Sequence, residues 1–326
     1  MIKDISTYSG SVVGGDWNLA MSALWNDIKT TGGTVNFNQA LTTLKSQLAM
    51  SGRPVQLHFL GDGESEIRPN AGTGVTNWVI SDLMQFSMKK MNIIGDGDIS
   101  PTRTTDVGAF LYLGFVLQAL IEECAIGGVK VSGALLEFGN GTLAKIKDSK
   151  LSGNAGTIVK VNQAYACEID NVDFLDYLGF QSEYHDKSTN GATWFRATTP
   201  PAGVVGANSP YIKIKNSRFD EASFVAIYVE DYPFVSIEGC RINISSGGSA
   251  KAIHLKNVKQ AIIKHCHVGY NNVDKPMVKL ENCGDVAIIG LGKDTNPSAP
   301  YRVEVDETSN AGLTLKGCPG ISVDVV

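Results

Sequence analysis

Ile227-Tyr228-Val229-Glu230-Asp231-Tyr232-Pro233-Phe234-Val235-Ser236-Ile237-Glu238-Gly239-Cys240-Arg241-Ile242 is followed by Ile253-His254-Leu255-Lys256-Asn257-Val258-Lys259-Gln260-Ala261-Ile262-Ile263-Lys264-His265-Cys266-His267-Val268, with the same apolar marks at the same offsets. An apolar first marker (Val229, Leu255) has another apolar residue two before it, and a second marker (Ile237, Ile263) stands eight after it. A third apolar position (Ile242, Val268) follows five residues later. Alternation with period two is the signature of a strand with one buried face. Each unit therefore reads as three short strands separated by turns.

The same pairs recur outward in both directions: Phe86/Ile94, Leu113/Ile121, Phe138/Ile146, Val161/Ile169, Leu280/Ile288 and Leu315/Val323. Third positions recur at Ile99, Ile126, Leu151, Phe174 and Phe219, with Asp148, Asn171, Asn216 and Gly239 marking the turn before them. Steps between second markers are mostly 23 to 27 residues; the exceptions are 45 from Ile169 to Ile214 and 35 from Ile288 to Val323. A unit this short cannot bury its apolar face alone, so the units must stack. Equivalent strands are then parallel, at about 4.8 Å per coil and about 43 Å for nine coils. Parallel crossovers are right-handed. The predicted fold is all-β: a right-handed single-stranded parallel β-helix of about nine coils over residues 66–326, behind an N-terminal cap over 1–65.

That cap is read from Trp17, Leu19, Met21, Leu24, Trp25 and Ile28, a broad apolar stripe between Asp16 and Gly32 that predicts an amphipathic α-helix. An open solenoid end exposes core and unpaired backbone, so a cap is needed. Gly32-Gly33-Thr34-Val35-Asn36-Phe37 and Val55-Gln56-Leu57-His58-Phe59-Leu60 read as lead-in strands, and Asn38 to Ser51 as a second short helix. At the other end the strand pattern of Ile321, Val323 and Val325 has no visible cap, for which oligomerisation is the simplest cover.

Composition narrows the function classes. Thirty-five glycines among 326 residues, 19% charged residues and no charged block suit many tight turns. A net charge of -5 gives no footprint for nucleic acid or an anionic membrane. No signal peptide is expected from Met1-Ile2-Lys3-Asp4-Ile5, and the apolar stretch from Gly108 to Ile121 is too short for membrane insertion, so a soluble protein is expected. Six cysteines without a CxxC pair give neither a disulfide framework nor a zinc site. Cys124, Cys240 and Cys266 share a column with Ser149, Val172 and Ser217, which reads as small inward side chains; Cys283 and Cys318 read as another column. His265 and His267 flank Cys266 in other directions, so no metal and no cofactor is expected.

Gly14-Gly15-Asp16 leading into an amphipathic helix, then Gly-Gly-Thr-Val-Asn-Phe and the Gly61-Asp62-Gly63 turn, resembles the opening of pectate-lyase-superfamily β-helix proteins, phage tailspikes especially. The motifs cover about residues 10 to 65, and the coil pattern extends the likeness to the end. The resemblance implies a homotrimeric virion appendage, attached to a phage tail or baseplate, that recognises and often cleaves bacterial surface polysaccharide. The chain lacks the Asp-Asp, Gly-His-Gly and Arg-Ile-Lys motifs of polygalacturonases and the Arg-x-Pro-x-x-Arg of pectate lyases, so those activities are not expected.

The 45-residue step draws attention to chemistry, because long loops on a rigid scaffold are where binding usually resides. It splits into two excursions, from Phe174 to Phe195 and from Phe195 to Ile214. Asp176 is seven after Ile169 and Glu221 seven after Ile214, which places two carboxylates on adjacent coils beside Asp220. A glycoside hydrolase needs such a pair, at about 5 to 5.5 Å for retention or 6.5 to 9.5 Å for inversion. Solvated surface carboxylates give the same pattern. Candidate sugar-binding residues are Tyr177, Tyr184, His185, Trp194, Arg196, Arg218 and Tyr232, the aromatics by stacking. His185 would also suit the base of a polysaccharide lyase. The column Lys150, Asp173, Arg218, Arg241 and His267 would hold an acidic glycan or stand as a solvated charge ladder, and Arg196 pairs by register with Glu230. The competing readings are a depolymerising receptor-binding protein, a lyase, and a purely structural or adhesive β-helix.

Overall fold

The computed structural model describes the chain apart from residues 40, 53–54, 71–73, 96–108, 140, 176–192, 199–209, 223–224, 245–250, 271–275 and 294–300. Three parallel ladders run its length. The second-marker ladder passes in register through Lys3, Val35, Phe59, Met88, Ile121, Ile146, Ile169, Ile214, Ile237, Ile263, Ile288 and Leu315. The first-marker ladder runs from Met50 through Ile80 and Leu113 to Val305 and Val325. The third joins Thr42, Ile67, Ile93, Ile126, Leu151, Phe174, Phe219, Ile242 and Val268. The chain is a parallel β-helix, and these ladders are called here the first, second and third sheets. Nine second-sheet rungs lie from Met88 to Leu315, and the two lead-in strands add rungs to the same ladder below them.

Two pairs of markers take a different register from the expected one. Ile121 stacks on Met88 and Leu113 on Ile80, so the coil mates are Ile80 and Met88 rather than Phe86 and Ile94. The third position of that coil is Ile93, whereas Ile99 lies outside the described residues. At the far end, Leu315 belongs to the second sheet and Val323 to the first sheet of the next rung. The short helix Glu307–Ala311, inserted between Val305 and Leu315, stretches that corner from eight residues to ten. Cys318 accordingly joins the Cys266 column, where its sulfur lies 3.4 Å from the Leu291 N–H, whereas Cys283 lies on the first corner and its N–H donates to Ser309 Oγ at 2.8 Å.

The corners explain the regularity. From Met88 onward, the residue two after each second-sheet marker adopts left-handed backbone: Lys90, Glu123, Asp148, Asn171, Asn216, Gly239, His265, Gly290 and Gly317. Asn, Asp and Gly tolerate that region best. Their side chains also bond along the stack, as Asn171 Nδ2 donates to Asp148 Oδ1 at 2.8 Å. The next residue points inward. Cys124, Cys240 and Cys266 are buried there beside Ser149 and Ser217, and each sulfur or hydroxyl lies against the carbonyl two residues back.

At the N-terminal end the helix Trp17–Ile28 covers the core. Asp16 caps it by accepting from the Asn18 N–H at 3.0 Å and the Lys45 N–H at 2.9 Å. Ala20, Met21, Leu24, Trp25 and Ile28 are buried, but Leu19 faces solvent. Residues 38–51 do not form the expected second helix: they carry the strands Leu41–Leu44 and Leu48–Ser51, which pair with Glu66–Pro69 and Trp78–Ser81. Below the cap, Phe37, Phe59, Trp78, Phe86 and Phe110 pack edge to face or tilted at 5.1 to 5.9 Å. One hydrophobic cluster runs from Ile5 to Val305.

Candidate ligand groove

Outward side chains of stacked strands form straight columns, so every site on this scaffold is a set of columns. On the second sheet, the column one residue before each marker reads Thr34, His58, Ser87, Leu120, Lys145, Glu168 and Lys213. The column two residues further back reads Gln85, Gln118, Leu143, Ala166 and Tyr211. Apart from Lys213, they together line a groove of about 680 Å³ along seven rungs, from Thr34 to Tyr211. At about 4.8 Å per rung that is roughly 29 Å of extended surface.

The polar groups of the groove are ordered by one another. Gln85 Nε2 donates to Gln118 Oε1 at 2.7 Å, and His58 Nδ1 lies 2.7 Å from Ser87 Oγ. Burial, and secondarily Lys89, pull the His58 pKa below the ordinary histidine value. Glu168 accepts from the Tyr211 hydroxyl at 3.0 Å and lies 3.6 Å from Lys145 and 3.8 Å from Lys213. Burial, then the Glu168 carboxylate, push the Tyr211 phenol up to about 12, so it stays a neutral donor at neutral pH. One margin of the groove is charged: Lys89 reaches Glu122 at 2.6 Å, Lys147 pairs with the same carboxylate, and Lys215 lies 2.9 Å from Asp170. Hydrolysis needs two carboxyl groups. Among the described lining residues Glu168 is the one carboxylate.

The residues expected from the long coil fall elsewhere. Asp176, Tyr177, Tyr184 and His185 lie outside the described residues, and Trp194 and Glu221 are described by their backbones alone, in the strands Thr193–Thr198 and Arg218–Ala222. The third-sheet register does pair Asp173 with Arg218 and Phe174 with Phe219, whose rings stack at 4.5 Å. The column Lys150, Asp173, Arg218, Arg241, His267 is likewise as expected. Between Phe219 and Ala222 the pairing with the next rung shifts by one, a bulge that holds Asp220 and Glu221. Asp220 is anchored there by Asn243 Nδ2 at 2.6 Å and Arg218 at 2.5 Å.

Two expectations need correction. Tyr232 is fully buried, its hydroxyl donating to the Ala164 carbonyl at 2.9 Å, so it offers no face to a ligand. Its position after the first corner points inward, where an aromatic ring fills the core. Arg196 sits on the first sheet in register with Tyr228 rather than Glu230, its guanidinium 5.3 Å from the Tyr228 ring centre. Glu230 pairs instead with Lys256 at 2.8 Å and accepts from the Tyr228 hydroxyl. Arg196 and Arg218 thus face away from different sheets and do not form one site.

The family described as the right handed beta helix region matches residues 132–298. The chain belongs to that family. No characterised protein matches this β-helix at a significant level by sequence. Among solved structures, it superposes on tailspike protein 3 of bacteriophage CBA120 with a TM-score of 0.53 at 12% identity, over 100% of this chain and 59% of that one. Tailspike protein 2 of an Escherichia coli O157:H7 bacteriophage gives 0.53 at 10% identity, over 93% and 42%. The A-module of a mannuronan C-5 epimerase from Azotobacter vinelandii gives 0.55 at 12% identity, over 100% and 97%. The β-helix therefore spans little more than half of one tailspike chain and less than half of the other. No helix among the described residues is long and apolar enough to cross a membrane, and no group of three or more His, Cys, Asp or Glu side chains among them could hold a metal ion.

Proposed function

We propose that this β-helix is a tailspike-like receptor-binding protein that holds a bacterial surface polysaccharide lengthwise in the second-sheet groove. The observation that carries the reading is the periodicity of the groove: polar side chains recur once per rung over seven rungs, with Leu120 and Leu143 as apolar positions in the same two columns. A periodic ligand with a repeat close to the rung spacing makes equivalent contacts along such a surface, and an extended glycan is such a ligand. Membership of the β-helix family and the likeness to tailspikes are compatible with this and speak to the fold. Attachment to a virion tail and assembly as a homotrimer belong to the same proposal; cleavage of the glycan by Asp176 and Glu221 would take place apart from the groove, beside the third-sheet strand Arg218–Ala222.

The test is binding to a panel of purified bacterial capsular polysaccharides and lipopolysaccharide O-chains. Lys145→Ala, which removes a charged donor from the groove, should weaken the tightest complex about tenfold. Binding to none of the panel would refute the reading. Release of oligosaccharide by the native chain, abolished in Asp176→Asn and Glu221→Gln, would establish the depolymerase. Binding without release would establish an adhesive protein.

A further inference from the structure

The corner between the first and second sheets contains one residue that the fold does not call for. The position two after each first-sheet marker turns left-handed at Asp82, Phe115, Gln163, Asp231, Asn257 and Asn282. Asp and Asn suit this conformation, and the Asn257 and Asn282 amides bond down the column at 2.8 Å. Phe115 has φ of 53° and is 63% exposed. A bulky side chain in left-handed backbone is an outlier, and its ring gains little burial in return.

Its neighbours make it part of a larger feature. Met84 and Leu117, on the same corner, are 44% and 47% exposed. Each directly precedes a groove glutamine, Gln85 or Gln118, and the Gln118 N–H donates to the Met84 carbonyl at 3.1 Å. The strand Gln118–Glu122 runs from this apolar ridge to the Lys89–Glu122–Lys147 cluster, so the two margins of the groove have opposite character. Sugar rings have the same duality, with an apolar C–H face and polar substituents at the edge.

We infer that Phe115, supported by Met84 and Leu117, is a stacking subsite for the C–H face of a pyranose ring, which turns the polar edge of the glycan toward the lysine margin. This rests on the proposed function of the groove. An aromatic face and pyranose C–H groups exclude water from each other, and two apolar neighbours widen the contact.

Phe115→Asn separates ligand binding from folding, because asparagine is the residue that the corner uses at 257 and 282. Its melting temperature should equal or exceed that of the native chain. Its dissociation constant for the tightest-binding member of the polysaccharide panel should rise about tenfold, and Phe115→Trp should restore affinity. If Phe115→Asn binds like the native chain while Lys145→Ala is weakened, the stacking subsite is wrong and the groove reading stands. If Phe115→Asn shifts sedimentation to a smaller species with affinity unchanged, the ridge contacts a second copy and the inference is overturned. If the native chain binds no member of the panel, both fall.

Discussion

Replacing Ser217 with alanine tests whether the inward column after the second sheet holds the corners together. Ser217 Oγ accepts from the Val172 N–H on the rung before at 3.2 Å and donates to the Lys215 carbonyl at 2.8 Å. Both Ser217 and Val172 are buried, so water cannot replace the lost partner. The bond to the Lys215 carbonyl contributes about 1 kcal/mol, and the buried Val172 N–H left without an acceptor costs about 1 to 3 kcal/mol, so Ser217→Ala should destabilise by about 2 to 4 kcal/mol. Ser217→Cys should stay within about 1 kcal/mol, because Cys240 and Cys266 occupy the same column with sulfur 3.5 Å from the corresponding carbonyl. A solenoid need not unfold in one step, so urea titration should be read beside hydrogen exchange at the Val172 amide. Faster exchange of that amide in Ser217→Ala, and native-like exchange in Ser217→Cys, is the expected pattern. Unchanged stability and protection in Ser217→Ala would refute the argument, leaving the column as mere filler.

Two further outcomes follow from the surface ladders. The Lys147 ammonium, with Lys89 second, holds the Glu122 carboxyl below the usual carboxylate range. Its contribution to stability is therefore present above the unfolded-state value and lost as pH falls through the native one. Glu122→Gln should melt lower than the native chain at neutral pH, and the gap should close on acidification; melting curves across that range check the sign. Asn257, at φ of 54°, accepts from Asn282 Nδ2 and donates to Asp231 Oδ1, so Asn257→Ala should cost about 1 to 2 kcal/mol in denaturant titration, whereas Asn257→Gly, free of the backbone penalty, should cost about half that.

The coil pattern was legible because each rung repeats three inward marks, and coils from Leu113 to Ile288 keep them at constant offsets. It misled where another apolar residue happened to fit the spacing of eight. Phe86 and Met88 are both inward on one strand, so 80/88 and 86/94 satisfy the same rule; only the register with Leu113 and Ile121 decides between them. The helix Glu307–Ala311 had the same effect at the far end, where Leu315 and Val323 are eight apart by coincidence. Residues 38–51 read as a helix, yet Leu44, Leu48 and Met50 are buried in strands that pair with Glu66–Pro69 and Trp78–Ser81 on the next coil, which local pattern does not record.

The groove was hidden by that same slip. Gln85 and Gln118 belong to one column, which is visible only when Met88 is aligned with Ile121; under the Phe86/Ile94 pairing they fall on different positions. The irregular coil stands out in the sequence instead, because insertions on a rigid scaffold commonly carry function. Yet the second sheet passes that coil undisturbed, with Ala166 directly below Tyr211 although 45 residues separate them. Excursions of a solenoid leave at its corners, so a long coil can add walls without breaking a sheet. The regular face supplies a repeating surface and the corner supplies its exceptions, of which Phe115 is the clearest. Specificity on this scaffold should therefore be sought where a column departs from its own rule, and not only where the coil length does.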